Sequence, residues 1–234
     1  MFIRWTEAPP REERMSDEFD VLAACPLFAG VSRQDMEAML QCMQARALDV
    51  PKGGAVFRAG ERAEYVGILL SGSVRVLRDD YDGNRAILAA VGPGELFGET
   101  FACAGVGRMP VSVEADRPSR ALLIQLKRII GICPSACGFH NRVVLNLLRV
   151  LAEKNLALNG KLDITSRRTI REKLLAYLSS QARAAGSNRF VIPFDRQGLA
   201  DYLGVDRSAL SAEIGKLRRE GVIESARSAF TLLR

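Results

Sequence analysis

Gly204 is the residue that most constrains this chain. It stands between two short apolar stripes, Leu199-Ala200-Leu203 and Leu210-Ile214-Leu217, each spaced as on one side of a helix. A glycine followed by Val205 lets the backbone take a positive φ and turn sharply, and Asp206 can then cap the second helix. The segment Asp195 to Gly221 therefore predicts two helices crossing through a tight turn. Opposite the second stripe fall Arg207, Ser208, Ser211, Ala212 and Gly215, small enough together for a backbone to approach a groove floor. Arg196 and Gln197 at the start of the first helix, with Lys216, Arg218 and Arg219 further on, suit phosphates, which position a protein without reading sequence. The candidate DNA-contacting set is Arg196, Gln197, Asp206, Arg207, Ser208, Ser211, Ala212, Lys216 and Arg219. Glu213 does not fit that face neatly: either the helix is rotated, or the carboxylate accepts from a cytosine amino group.

Charge supports a polyanionic partner independently of spacing. Residues 1–160 hold 19 Lys and Arg against 19 Asp and Glu, whereas residues 161–234 hold 14 against 8, so the whole excess of +6 lies in the last third. After Gly221, Val222-Ile223-Glu224 and Phe230-Thr231-Leu232-Leu233 flank a short polar turn, as a two-stranded wing would. Together these features predict a winged helix-turn-helix on double-stranded DNA.

Upstream the texture differs. Residues 1–14 carry Trp5, two prolines and a charged run, and are expected to form a flexible arm or to reflect an upstream start codon, with the folded protein beginning near Met15. Ser32 should cap a helix with Asp35 three residues on and Met36, Met39, Leu40 and Met43 on its apolar side. Between Gly53 and Gly107 stand 11 of the 20 glycines, spaced between short apolar runs, the pattern of strands closing into a roll. Tyr65 to Leu70, Ser73 to Leu77 and Ala86 to Val91 are such strands, with Asp82-Gly83 as a hairpin turn. Pro134 to Gly160 can then run as one helix of about 40 Å. Val144, Leu148, Leu151, Asn155 and Leu158 form a heptad seam on it, continued by Leu162, while Val143, Leu147 and Val150 face another way. A helix engaged on both sides predicts a parallel homodimer. Asn155 in the seam either fixes its register or touches a ligand beside the roll.

Taken in order, these parts resemble the bacterial cAMP receptor protein/FNR (CRP/FNR) family of transcription regulators. The likeness rests on the strand pair Tyr65-Val66-Gly67-Ile68-Leu69-Leu70-Ser71-Gly72-Ser73-Val74, the cassette Gly94-Glu95-Leu96-Phe97-Gly98-Glu99 and the helix-turn-helix, and runs from about Glu18 to the C-terminus. It implies an α+β architecture: a cyclic-nucleotide-binding-like β-roll (jelly roll) sensor at 15–133, a dimerisation helix at 134–162 and a winged helix-turn-helix at 163–234. It also implies an inverted-repeat operator, and RNA polymerase as a partner if the protein activates. In the cAMP-binding members the glutamate of the cassette holds the ribose, and an Arg-Ser pair ten residues later holds the cyclic phosphate. Here those positions are Met109 and Pro110, which cannot replace a guanidinium, and Arg108 beside them should aim outward along an extended segment. The expected effector is therefore a small molecule or redox signal other than cAMP, acting near Gly98, Glu99, Thr100, Arg108, Met109, Pro110 and Asn155. It would shift the long helix and re-aim the winged domains about a hinge at Leu162 to Ser166. Of the Arg-Glu pair and later Arg through which the cAMP-type proteins read DNA, this chain has Arg207, Ser208 and Ala212.

Other chemistries lack their side chains. No metal or cofactor is expected: Cys25 is alone in the region where an FNR-type cluster needs several thiolates, two cysteines at 133 and 137 do not complete a site, and His140 is the only histidine. That histidine, near a helix start, reads as structural rather than a haem ligand. Oxidation of Cys103 or of the Cys133/Cys137 pair is a minor alternative route for a signal. An enzyme is not expected, since the roll has no histidine and Glu99 has no evident base beside it. No apolar run approaches the roughly 20 residues of a membrane helix and no signal peptide is seen, so a cytoplasmic protein without a membrane partner is expected. The competing reading is a ligand-binding sensor without sequence-specific DNA binding.

Overall fold

A computed structural model describes residues 11–79, 85–131 and 140–233, the first six of these by backbone alone. The chain divides into two compact units, residues 1–152 and 153–234. The Asp82-Gly83 turn, Cys133, Cys137, the start of the long helix at Pro134 and residues 1–10 lie outside the described residues.

The first unit opens with α1 (Arg11–Ala24), a 3-10 turn at Pro26–Phe28 and α2 (Arg33–Cys42). α1 begins at Arg11, before the expected boundary at Met15. Ser32 caps α2 by accepting from the Asp35 amide at 3.2 Å, and Met36, Met39 and Met43 are buried. Eight strands follow: β1 (Arg46–Val50), β2 (Ala55–Phe57), β3 (Tyr65–Ser71), β4 (Val74–Asp79), β5 (Arg85–Val91), β6 (Leu96–Phe97), β7 (Ser112–Ala115) and β8 (Ser119–Gln125), with α3 (Glu99–Cys103) before β7 and α4 (Leu126–Ile130) after β8. They form two antiparallel four-stranded sheets, ordered β1-β8-β3-β6 and β2-β7-β4-β5.

The strand β3 reads as an almost unbroken apolar run because both of its faces are covered. Val66, Ile68 and Leu70 enter a core shared with α2 and the 3-10 turn, while Leu69 enters the interior of the roll. Its partner β8 divides the same way, with Leu122 and Ile124 on the helix side and Ala121 on the roll side. Gly67 must lack a side chain, since a Cβ there would meet Phe97 Cζ at 2.3 Å.

The long helix α5 (His140–Thr165) buries Val143, Leu147 and Val150 against the helix-side core, as its second stripe predicts. Its buried amide is Asn146, not Asn155. Asn146 Nδ2 donates to the carbonyls of Leu27 and Ala29 at 3.0 Å each, and Arg142 donates to the carbonyl of Gly30, so α5 ties down the turn after α1. Asn155 is exposed and accepts from Asn159 Nδ2 at 2.7 Å. Of the expected seam, Val144 and Leu151 are half-buried, whereas Leu148 and Leu158 are each 57% exposed.

In the second unit the hinge expected at Leu162 to Ser166 is helical through Thr165, and Ile164 is buried in this unit's core. The break in helix falls instead at residues 166–169, where Thr169 and Glu172 form a reciprocal cap for α6 (Ile170–Ala185). Then come β9 (Arg189–Val191), α7 (Arg196–Leu203), α8 (Arg207–Arg219), β10 (Ile223–Ala226) and β11 (Ala229–Leu232), with a sheet ordered β10-β11-β9. The wing thus has a third strand that the sequence pattern does not show.

Removing the Asn146 amide leaves the carbonyls of the buried Leu27 and the exposed Ala29 without this donor. Asn146→Ala is expected to lower stability by about 1–3 kcal/mol, measured as a lower urea midpoint of the full chain.

Candidate nucleic-acid interface

Rotation of α8 about its axis decides what it presents. Leu210, Ile214 and Leu217 are all buried, packed with Leu199, Ala200 and Leu203 of α7 and Leu174, Tyr177 and Leu178 of α6. Arg207, Ser208, Ser211, Ala212, Lys216 and Arg219 are exposed, as the helical period requires once the stripe is inward. The turn before α8 works by two caps. Gly204 takes φ 63° and closes α7, Val205 N donates to Ala200 O at 3.0 Å, and Asp206 Oδ1 accepts from Ala209 N at 2.9 Å.

These caps assign work to several residues of the expected DNA-contacting set. Ser208 Oγ donates to Asp206, and this bond, with the Ala209 amide next, holds the Asp206 carboxyl below its ordinary value. Asp206 is thus anionic and occupied as a helix cap, and it shapes the turn rather than offering a cation to phosphate. Ser211 Oγ donates back to Arg207 O at 2.9 Å, and Gln197 Nε2 donates to Asp201 Oδ1 at 2.8 Å, so both need a change of partner to meet DNA. Arg196 is half-buried with its guanidinium 5.7 Å from the centre of the Phe230 ring, and burial, then Arg218, lowers its pKa. Arg207, Lys216 and Arg219 are exposed, the last two near enough to Glu220 to help lower its carboxyl.

Glu213 is corrected. The stripe is in register, so the helix is not rotated, and the carboxylate turns toward α6 rather than toward a base. There Arg171 lies between Glu213 and Glu220, with Nη1 at 3.6 Å from the first and Nη2 at 2.7 Å from the second. The hydrogen bond from Arg171 holds the Glu220 carboxyl below its ordinary value. Beneath them Tyr177 packs against Tyr202 and Phe194 at ring distances of 5.2 and 6.2 Å, and burial pushes the Tyr177 hydroxyl to about 12.

In the first unit, the expected effector residues part company. Gly98, at φ 77°, caps α3, and Glu99 is only 2% exposed with its Oε1 accepting from Thr100 Oγ1 at 3.1 Å. Met109 is 3% exposed and belongs to the apolar interior with Phe57, Phe97 and Val111, whereas Arg108 and Pro110 on either side are exposed. Arg108 Nη1 donates to Gly60 O at 2.7 Å, so it does aim outward. Glu99, Thr100 and Met109 lie in the first unit and Asn155 in the second.

The remaining candidates for other chemistry are structural. His140 is buried, and its Nε2 stands 3.0 Å from the Arg128 carbonyl, which can only accept. Cys25 is buried, and the exposed Cys103 has its thiol pushed up by burial and then by Glu99, which disfavours the reactive thiolate. Among the described residues no group of three His, Cys, Asp or Glu could hold a metal ion. No helix among them is long and apolar enough to cross a membrane.

Comparison with known proteins agrees with this division. Residues 47–135 match the cyclic nucleotide-binding domain, and residues 172–234 match the Crp-like helix-turn-helix domain. The chain is 27% identical to the cyclic AMP receptor protein of Thermus thermophilus over 202 residues, covering 85% of this chain and 88% of that protein. It is 30% identical to the nitrogen fixation regulation protein FixK of Azorhizobium caulinodans over 196 residues, covering 78% and 73%. The crystal structure of the Thermus thermophilus catabolite activator protein superposes with a TM-score of 0.52 at 25% identity, covering 88% of this chain and 93% of that one.

Glu220, Glu172 and Asp206 all have folded-state carboxyl values below their ordinary ones. Their stabilisation is therefore fully present above about pH 5 and is lost as pH falls through the lowered values. Glu220→Gln should lower the thermal midpoint at pH 7, with the gap from wild type closing below about pH 4. Cys103, with its raised pKa, should react with a disulfide reagent at pH 8 more slowly than a free cysteine, measured against Cys103→Ser as the blank.

Proposed function

The chain belongs to the CRP/FNR family of transcription regulators, and from that premise we propose that it binds a two-fold symmetric operator as a homodimer, under an effector other than cAMP. It is a DNA-binding transcription regulator with a Crp-like helix-turn-helix. The observation that carries the operator reading is the exposed face of α8, where Arg207 stands at the helix start beside the small residues Ser208, Ser211 and Ala212. An arginine on a helix N-terminus that can enter the major groove is suited to guanine O6 and N7. Lys216 and Arg219, on the same exposed side, fit the flanking phosphates. The half-site differs from the one read by the cAMP-type proteins, because Ser208 and Ala212 replace two of their three readers.

Dimerisation is supported by the exposed apolar side of α5, on which Leu145, Leu148, Leu156, Leu158 and Leu162 are each more than half exposed. A single chain has no reason to hold five leucines in water on one helix, whereas a second copy of the helix would cover them. Two such protomers place two α8 helices on half-sites about one turn of DNA apart. Exclusion of cAMP is supported by Met109. It fills the position from which a cation would hold the cyclic phosphate, and a thioether offers neither charge nor a fork of donors. If the regulator activates, RNA polymerase is its further partner.

Fluorescence anisotropy on a random duplex at several salt concentrations, followed by selection of tight binders, should give a steep salt slope and recover an inverted repeat. Arg207→Ala should then lose roughly 1–3 kcal/mol of discrimination at one base pair of each half-site. Equal weakening on all sequences would remove Arg207 from base reading. Millimolar cAMP should leave the affinity for the recovered operator unchanged.

A further inference from the structure

Burial of Leu210, Ile214 and Leu217 sets the rotation of α8, but hydrophobic burial is non-directional and leaves the place of the helix along its own axis to other contacts. A guanidinium is directional, because it is planar and presents its donors as a fixed fork. Arg171, the second residue of α6, meets α8 at two points. Its Nη1 stands 3.6 Å from Glu213 Oε1 and its Nη2 stands 2.7 Å from Glu220 Oε2. The two carboxylates lie about 10 Å apart along the helix, so a slide of α8 that shortened one contact would lengthen the other.

Stability alone does not explain this arrangement. Arg171 and Glu213 are half-buried and Glu220 is exposed, and ion pairs that open to water contribute only modestly to folding. The same helix also holds α7. Lys173 Nζ donates to the carbonyl of Leu203 at 3.3 Å, immediately before Gly204 turns the chain. One cation of α6 is thus set on each helix of the helix-turn-helix. The frame that carries them is itself held: the reciprocal cap of Thr169 and Glu172 flanks Arg171, and Leu174 and Leu178 are buried in the core of the unit.

The geometry points to Arg171 as a positioning residue for DNA reading: through Glu213 and Glu220 it fixes the axial place of α8 against α6, and so where Arg207 meets a base edge. The assignment rests on the reading of Arg207 given above and adds to it a residue that acts without touching DNA. α8 is a continuous helix of 13 residues, so a displacement near Glu220 is carried to Arg207 at its start. A side chain that recognises a partner has to be held to within about 0.5 Å, which a non-directional apolar contact does not ensure.

The test uses the full chain with Arg171→Gln, Arg171→Lys, and Arg171→Gln combined with Arg207→Ala. Each is titrated well below its melting midpoint against the selected operator and a scrambled duplex over a range of salt. Arg171→Gln should keep the salt slope of wild type on the scrambled duplex, while its ratio of operator to scrambled affinity falls about fivefold or more. Arg171→Lys keeps the charge without the fork and should lose the ratio as well. On top of Arg207→Ala, Arg171→Gln should cost little further discrimination, since the contact that it positions is already gone. A change that merely loosened the fold would weaken both backgrounds alike. An unchanged ratio in Arg171→Gln, full discrimination in Arg171→Lys, a reduced salt slope, or losses that add in the combined variant overturns the positioning role and leaves the DNA-binding reading intact. A wild-type chain that binds neither duplex overturns both.

Discussion

The burial of Leu210, Ile214 and Leu217 is the constraint on which the exposed face of α8 depends. Each side chain contributes about 1.5–3 kcal/mol when taken out of water, so together they outweigh any exposed polar contact by several-fold. That difference sets the rotation of α8, and with it the directions of Arg207, Ala212 and Lys216. Gly204 sets the angle between α7 and α8 by adopting φ 63°. The caps from Asp195 and Asp206 satisfy amides that an exposed helix start would otherwise leave to water. Arg171 then ties the carboxylates of Glu213 and Glu220 to α6.

In the first unit the corresponding constraint is that β3 and β8 are shared by two cores. Alternate residues of the same strand serve the helix side and the roll side, so neither face of these two strands is left to solvent. The roll interior is filled by apolar groups, Met109 among them, and Glu99 is also buried. On the helix side, Asn146 joins α5 to the carbonyls of Leu27 and Ala29 by one buried and one part-buried hydrogen bond.

Much of this was legible from residue order. The stripes of α2, α5 and α8, the caps at Ser32 and Asp206, the strands β3 to β5 and the turn at Gly204 follow from local periodicity and from side chains that reach only three or four residues. Arg108 outward and Met109 inward follow from the alternation of an extended segment. What failed to show has a common cause. The strand β9 has three residues with one inward, too few for a period. Asn146 and Asn155 are nine residues apart on one helix, and only the carbonyls of Leu27 and Ala29, over a hundred positions earlier, separate their roles. Glu213 looked misplaced until Arg171 from another helix faced it.

The sequence by itself determined the order of the parts, the rotation of α8, the outward turn of Arg108 beside an inward Met109, and the placement of excess positive charge in the last third. These depend on periodicity, composition and chain direction, which act within a turn or a strand. Tertiary structure alone decided that Asn146 is the buried amide, that α5 runs on through Thr165 into the second core, and that Arg196, Arg207 and Arg227 share one cavity. Those facts join residues from separate elements, and their energies exist only once hydrophobic burial has brought the elements together.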